Sequence, residues 1–251
     1  MNGEGWEDVP QSAVADIKLI YVFAFRFCVV APLLFLIPVV GEFAQHVVEI
    51  EIGMYQSSDK FKQLSMDPNR FAIGVVKLLL LFVPLYYYGR YLAFKGDKSR
   101  YHDFSWTSVA PFLPVFVFNA GLSVLLLGMT VWNPDSVWSL VIRVLTFLLT
   151  IYLTYWMVTQ ALNVDRGSWS TSFSRINGHF WRVVGYMLAA SLPLMIVHYA
   201  VGYLAIGMEG FKLWLTLILD SLVVGLLALC LVGVNYFGAR WAKHASSRGM
   251  R

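Results

Sequence analysis

The sequence predicts an all-α, polytopic membrane protein with six transmembrane helices, and three observations carry that prediction. The chain has 251 residues, of which 58% are hydrophobic and only 14% charged. Soluble domains hold about 25% charged residues, and one of this length cannot hide so much apolar surface, whereas lipid accepts it. Six apolar stretches, at 18–40, 71–94, 106–131, 137–162, 181–206 and 211–238, exceed the ~20 residues needed to cross about 30 Å of hydrocarbon. Backbone in lipid must satisfy its own hydrogen bonds, so these are expected to be helices. The weakly alternating ~10-residue segments of an outer-membrane barrel are missing. Residues 1–251 therefore read as a single membrane domain.

The first stretch follows an acidic, polar segment (Glu4, Glu7, Asp8, Asp16) and contains Arg26. A cleavable signal peptide wants a positive leader and a short clean apolar core, so a retained helix is expected. Between the first two stretches, Ile50 to Arg70 mixes apolar residues with Lys60 and Lys62, as a segment that lies on the outer membrane surface or caps the bundle would. Asp67-Pro68 then reads as a helix start. The second, fourth and sixth stretches end in aromatic or aromatic-basic edges: Tyr86-Tyr87-Tyr88-Gly89-Arg90, Tyr155-Trp156, and Tyr236 to Trp241. Such edges are interfacial belts. Ahead of the fifth stretch, Trp169, Phe173, Ile176 and Phe180 recur at spacings of four, three and four, the pattern of an amphipathic helix lying in the interface.

The stretches sort into three pairs. In the second member of each pair, six mostly apolar residues precede a charge: Phe71–Val76 then Lys77, Val137–Ile142 then Arg143, and Trp214–Leu219 then Asp220. In the first members, Val30-Ala31-Pro32 matches Val109-Ala110-Pro111, Pro38 matches Pro114, and Pro193 is central in the fifth stretch. The expected architecture is three parallel two-helix hairpin repeats about an axis along the membrane normal. Mitochondrial carriers also have three two-helix repeats, but their Pro-x-acid-x-x-base signature is missing after Pro38 and Pro114. The run Asp165-Arg166-Gly167-Ser168, Phe173-Ser174-Arg175 and Gly178-His179-Phe180-Trp181-Arg182, leading into an apolar span, resembles the bacterial membrane-domain families that include the membrane part of some glycerophosphodiester phosphodiesterases. That resemblance, mainly over residues 165–200, carries no catalytic residue, because the chemistry of that family sits in a separate soluble domain.

Charge sets the expected orientation. The segments at 1–18, 90–105, 163–182 and 240–251 carry twelve Lys/Arg against four in the alternate segments, while acidic residues divide seven and seven. The positive-inside rule then puts both termini in the cytoplasm, and a bacterial inner membrane is the expected compartment. No contiguous basic stripe lies outside the membrane edges, so nucleic acid is not an expected partner. Lipid and other membrane subunits are the partners expected. Cys28 and Cys230 both fall within spans, so neither a disulfide framework nor a paired-cysteine metal motif is expected.

Charges at membrane depth cost roughly 2.5–3.5 kcal/mol each on insertion scales, so Lys77, Arg143 and Asp220 are functional or pairing candidates. His198 lies at comparable depth. One reading is an ion- or proton-handling centre with Asp220 as counter-ion. The other is a structural pair of Asp220 with Lys77 or Arg143, the remaining cation snorkelling to the interface. Asn119 is a candidate bridge between helices and Arg26 a snorkelling cation. Glu42, His46 and Glu49 share one helical face and form a plausible ligand set for a divalent metal, though a solvated or partner-facing helix has the same pattern. Gly-x-Ser-x-Gly, Walker A and His-Glu-x-x-His motifs are missing, and His102-Asp103 has no further ligand beside it, so neither enzyme activity nor a cofactor is expected. The leading expectation is a non-catalytic accessory, scaffold or envelope-homeostasis protein. A small-solute or ion transporter is the alternative, and the two differ in whether a water-accessible cavity reaches Asp220.

Overall fold

A computed structural model describes residues 12–132, 137–164 and 167–247. Glu4, Glu7, Asp8, the 133–136 connection, Asp165, Arg166, Arg248 and Arg251 lie outside the described residues. Every regular element described is helical. In order they are α1 (Ala13–Val30), α2 (Pro32–Glu51), a 3-10 turn (Met54–Gln56), α3 (Ser58–Leu64), α4 (Pro68–Leu80), α5 (Phe82–Ala93) and α6 (Lys98–Tyr101). There follow α7 (Trp106–Val109), a second 3-10 turn (Ala110–Phe112), α8 (Leu113–Trp132), α9 (Val137–Leu162), α10 (Trp169–Asn177), α11 (Phe180–Leu204) and α12 (Gly210–Ser247). Five segments are long and apolar enough to cross a membrane: Pro32–Glu51, Pro68–Ala93, Val137–Leu162, Phe180–Leu204 and Gly210–His244; Trp106–Leu122 is a shorter apolar helix. The chain is thus an all-α membrane protein, with five candidate crossings where the sequence predicts six.

Proline chemistry accounts for the first differences. The expected 18–40 crossing is broken at Ala31, whose backbone leaves the helical region (φ −134°, ψ 58°). The residue before proline is sterically pushed out of the α region, and Pro32 then suits the first turn of a new helix. The long apolar helix therefore starts at Pro32 and extends to Glu51, well past residue 40. A different proline effect divides α4 from α5 at Leu81, which keeps helical angles (φ −65°, ψ −20°). The Pro84 ring clashes with the carbonyl four residues back, on Leu80, where α4 ends.

The 38-residue α12 is the axis of the bundle, in contact with α11, α2, α9, α5 and α1. Helices α1 and α2 run antiparallel along it: Ile20 abuts Gly233, Phe35 and Val39 abut Gly225, and His46 reaches Asp220. Glycine is what permits this approach, since a methyl group at Gly225 would overlap the Val39 side chain. The adjoining core is aromatic, with Phe27, Tyr88, Tyr101, Tyr155, Tyr186 and Phe237 fully buried. By contrast, Val137, Trp138, Leu140 and Leu145 on the first half of α9 are exposed, as contact with lipid requires.

At the end of the bundle near the termini, buried Asp16 joins three helices. It accepts hydrogen bonds from the Tyr186 hydroxyl (2.8 Å) and the Trp241 indole (2.7 Å), with Arg240 at 3.6 Å. Helix α10 packs one face on the bundle, while Trp169 and Phe173 keep 47% and 39% of their surface exposed. Phe173 stacks on Tyr152 at 4.9 Å, Trp169 meets Phe118, and the Ser172 hydroxyl donates to the Tyr152 carbonyl. The charges expected to be equivalent in the three repeats are placed unequally: Asp220 is fully buried, Lys77 half-buried and Arg143 exposed.

Gly225→Ala is expected to lower stability by about 1–3 kcal/mol, the usual cost of overpacking. The check is the melting temperature in detergent, where Gly121→Ala, which meets nothing within 4 Å, should be close to neutral.

Candidate functional site

The bundle end opposite the termini holds a polar cluster built on α2. Glu42, Gln45, His46 and Glu49 form one stripe of that helix, and none is more than 5% exposed. The sequence favours a solvated or partner-facing helix here, but the stripe faces inward. Its counterparts come from other elements: Lys77 on α4, Arg70 in its first turn, Tyr55 from the 3-10 turn, His198 on α11 and Asp220 on α12.

Two local devices aim these groups. Gly53 adopts φ +77°, a left-handed conformation that glycine takes without strain, and it turns the chain so that Tyr55 comes back onto α2. The Tyr55 carbonyl is fixed in turn by the Gly207 N–H at 2.8 Å, tying the α2 connection to the one between α11 and α12. Asp67 caps α4, accepting from the Asn69 N–H (2.8 Å) and the Arg70 N–H (3.4 Å), and this sets the direction of the Arg70 side chain.

Glu49 is the best-satisfied member. Its Oε1 accepts from Gln45 Nε2 (2.9 Å) and Arg70 Nε (2.6 Å). Its Oε2 accepts from the Tyr55 hydroxyl (2.6 Å) and lies 2.8 Å from His46 Nδ1. Burial, then the neighbouring Glu49 charge, push the Tyr55 hydroxyl upward in pKa, so it stays protonated and remains a donor. The other imidazole nitrogen, His46 Nε2, lies 3.0 Å from Asp220 Oδ2 and 3.7 Å from Glu42 Oε1. His198 Nδ1 reaches both Asp220 oxygens, at 2.8 and 2.9 Å. Lys77 Nζ sits 2.7 Å from Glu42 Oε2, but outside hydrogen-bonding geometry, so that buried oxygen has an ion pair and no hydrogen bond.

These contacts redraw the expected pairings. Asp220 was expected to pair with Lys77 or Arg143; its partners are His46 and His198, and Lys77 belongs to Glu42. Arg143 is exposed on α9 and has no ion pair among the described residues. Glu42, His46 and Glu49 are brought together, yet Glu49 faces Nδ1 while Glu42 and Asp220 face Nε2. Of the lesser candidates, Asn119 donates to Val115 within its own helix, and Arg26 is exposed beside Phe23. Asp103 accepts from the Ser108 hydroxyl, then from Ser105, and these bonds pull its pKa down to about 2. With Arg90 at 3.7 Å it ties the loop to α5.

Tyr55, Arg70 and Gln45 are site residues that sequence reasoning missed. Gln45 carried a signal, since it lies three residues from Glu42 and four from Glu49 on the same face.

The cluster lines a cavity of about 250 Å³. Asp220 has no exposed surface, but the side chains of Arg70, Lys77 and His198 are 21–27% exposed, so the cavity reaches the surface through them. Three carboxylates face two fixed cations and two imidazoles, so the site carries a negative balance unless an imidazole is protonated. Comparison with protein-family models, curated proteins and solved structures found no match.

Asp220→Asn is expected to lower the melting temperature, since removing one partner of a buried ion pair costs about 3–5 kcal/mol. Adding Lys77→Met should not restore it, because Lys77 pairs with Glu42. Glu42→Gln and Lys77→Met should instead show coupling in a double-mutant cycle.

Proposed function

We propose that the chain is a small-solute or ion transporter that binds a charged solute in the cavity between α2, α4, α11 and α12. One observation carries this reading: a cavity of about 250 Å³ gives access to a fully buried carboxylate inside a membrane helix. A scaffold gains nothing from that arrangement, since intramembrane charges are costly. A second cavity of about 220 Å³ lies further along α12, lined by Asn119, Thr150, Ala228 and Asn235. Asp220 and Ala228 are eight positions apart, or about 12 Å of helix rise. Between the two levels the chain is tightly packed, where Gly225 meets Phe35 and Val39 and Gly41 meets Leu80. Two cavities in series across an apolar seam suit a path closed at one point.

With α8 (Leu113–Trp132) as a sixth crossing of the proposed bacterial inner membrane, the Lys/Arg distribution supports both termini on the cytoplasmic side and the Asp220 cavity on the outer side. An accessory-subunit role is the second reading. Exposed Arg143, which has no ion pair among the described residues, favours it, because a cation on a lipid-facing helix suits a covering partner.

Two labelling experiments test this. In a background lacking Cys28 and Cys230, Ser58→Cys and Lys98→Cys should react with impermeant thiol reagent from opposite faces; reaction from the same face would overturn the orientation. Gly202→Cys, where a side chain meets nothing within 4 Å, should react from the outer face. Ala228→Cys should react from the cytoplasmic face. An Ala228→Cys sealed from both faces would overturn transport.

A further inference from the structure

We propose that Glu42, His46 and Asp220 bind a divalent first-row transition-metal cation. This assignment rests on reading the cavity as a solute site and names the class of solute. The three donor atoms, one per side chain, lie within 4.8 Å of one another. His46 Nε2 is 3.0 Å from Asp220 Oδ2 and 3.7 Å from Glu42 Oε1. A tetrahedral centre with bonds of about 2.0 Å separates its ligand atoms by about 3.3 Å. The observed distances bracket that value, so a cation enters with small side-chain shifts.

The surroundings point the same way. Metal-bound histidines characteristically donate their other ring N–H to a carboxylate, which fixes tautomer and ring orientation. Glu49 is placed for this role, 2.8 Å from His46 Nδ1 and held by Gln45, Arg70 and Tyr55. With the proton on Nδ1, the Nε2 lone pair faces Glu42 and Asp220. Glu42 is 1% exposed, turns Oε2 to Lys77, and holds Oε1 towards His46 Nε2 at 3.7 Å, beyond hydrogen-bond reach. Lys77 holds part of its charge, as a counter-ion does in an unloaded site. Glu49 is therefore a positioning residue, its oxygens being fully engaged, and Asp220 is the third ligand.

One imidazole with two carboxylates selects a borderline cation such as Zn²⁺, Mn²⁺, Fe²⁺ or Co²⁺. Six-oxygen cages suit Mg²⁺ and Ca²⁺, and thiolates or thioethers suit Cu⁺. His198 Nδ1 sits on both oxygens of Asp220, which orients that carboxylate from the α11 side.

The test titrates the full-length protein in detergent with Co²⁺, followed by its visible absorption, and with Zn²⁺ and Mn²⁺ by calorimetry. Saturable one-to-one binding is expected, with a higher melting temperature that a chelator reverses. Glu42→Gln should lose binding and, because it also breaks the Lys77 ion pair, lower the melting temperature in chelator, whereas Lys77→Met breaks the same pair but keeps all three donors and should still bind. Glu49→Gln should weaken binding by about 10–100-fold, the usual effect of an outer-shell partner. His46→Gln and Asp220→Asn should also lose binding, and any variant that does not fold is replaced by the Glu42→Gln result. No saturable binding of these ions, or binding unchanged in Glu42→Gln, would overturn the assignment. Ala228→Cys labelling separates the two proposals. Access from the cytoplasmic face without metal binding refutes the cation and leaves transport standing. Metal binding with a sealed Ala228 keeps the metal site and refutes transport.

Discussion

The contact on which this structure most depends is the imidazole of His46 set between Glu49 and Asp220. Three carboxylates buried at one end of an apolar bundle would repel one another and lose their hydration, and both effects oppose folding. His46 bridges two of them through its two nitrogens, at 2.8 and 3.0 Å, and so joins α2 to α12 across 174 residues of sequence. Lys77 and Arg70 meet the remaining negative charge from α4, and His198 reaches Asp220 from α11. Four helices are thus positioned by charge balance at a place where lipid-like packing by itself gives little orientation.

That balance needs the helices to come close. Without a hydrophobic driving force between helices in lipid, small residues at the interface let backbones approach and van der Waals contact accumulate. Gly225, Gly233 and Gly238 on α12 receive Val39, Ile20 and Val183 in turn. The break at Ala31 before Pro32 helps α1 and α2 follow α12 over most of its length. Because α2 starts again at Pro32, its polar stripe arrives opposite Asp220.

The bundle has two polar ends with an aromatic core between them. At the far end, Asp16 accepts from Tyr186 and Trp241. Here donors with short reach satisfy Oδ2 of the carboxylate. At the cavity end, Glu42 retains an oxygen without a hydrogen bond beside open volume. Each end leaves one buried carboxylate oxygen to an ion pair, Asp16 Oδ1 facing Arg240 and Glu42 Oε2 facing Lys77, and they differ in that Glu42 lines open volume.

Composition and the length of the apolar stretches determined that this is an all-helical membrane protein, because lipid admits only helices and closed barrels and these stretches are too long and unbroken for barrel strands. The long crossings at Val137–Leu162, Phe180–Leu204 and Gly210–His244 were legible to within a few residues at their starts, since length and hydropathy define them. The breaks at Ala31 and Leu81 were less legible: proline is common in membrane helices, and whether it breaks one depends on the neighbours that re-satisfy the backbone. Among the site residues, Glu42, His46 and Glu49 could be grouped from their spacing, because a helix repeats every 3.6 residues. The direction in which that face points could not. Periodicity shows that residues share a side, while a buried charged stripe and a solvated one have the same spacing. The partnership of Asp220 with His46 and His198 was decided by tertiary structure, because a choice among several ions depends on which helices touch and at what register. No sequence distance encodes that. Lys77 therefore went to Glu42 and Arg143 to the surface, although all three second-helix charges follow similar apolar runs.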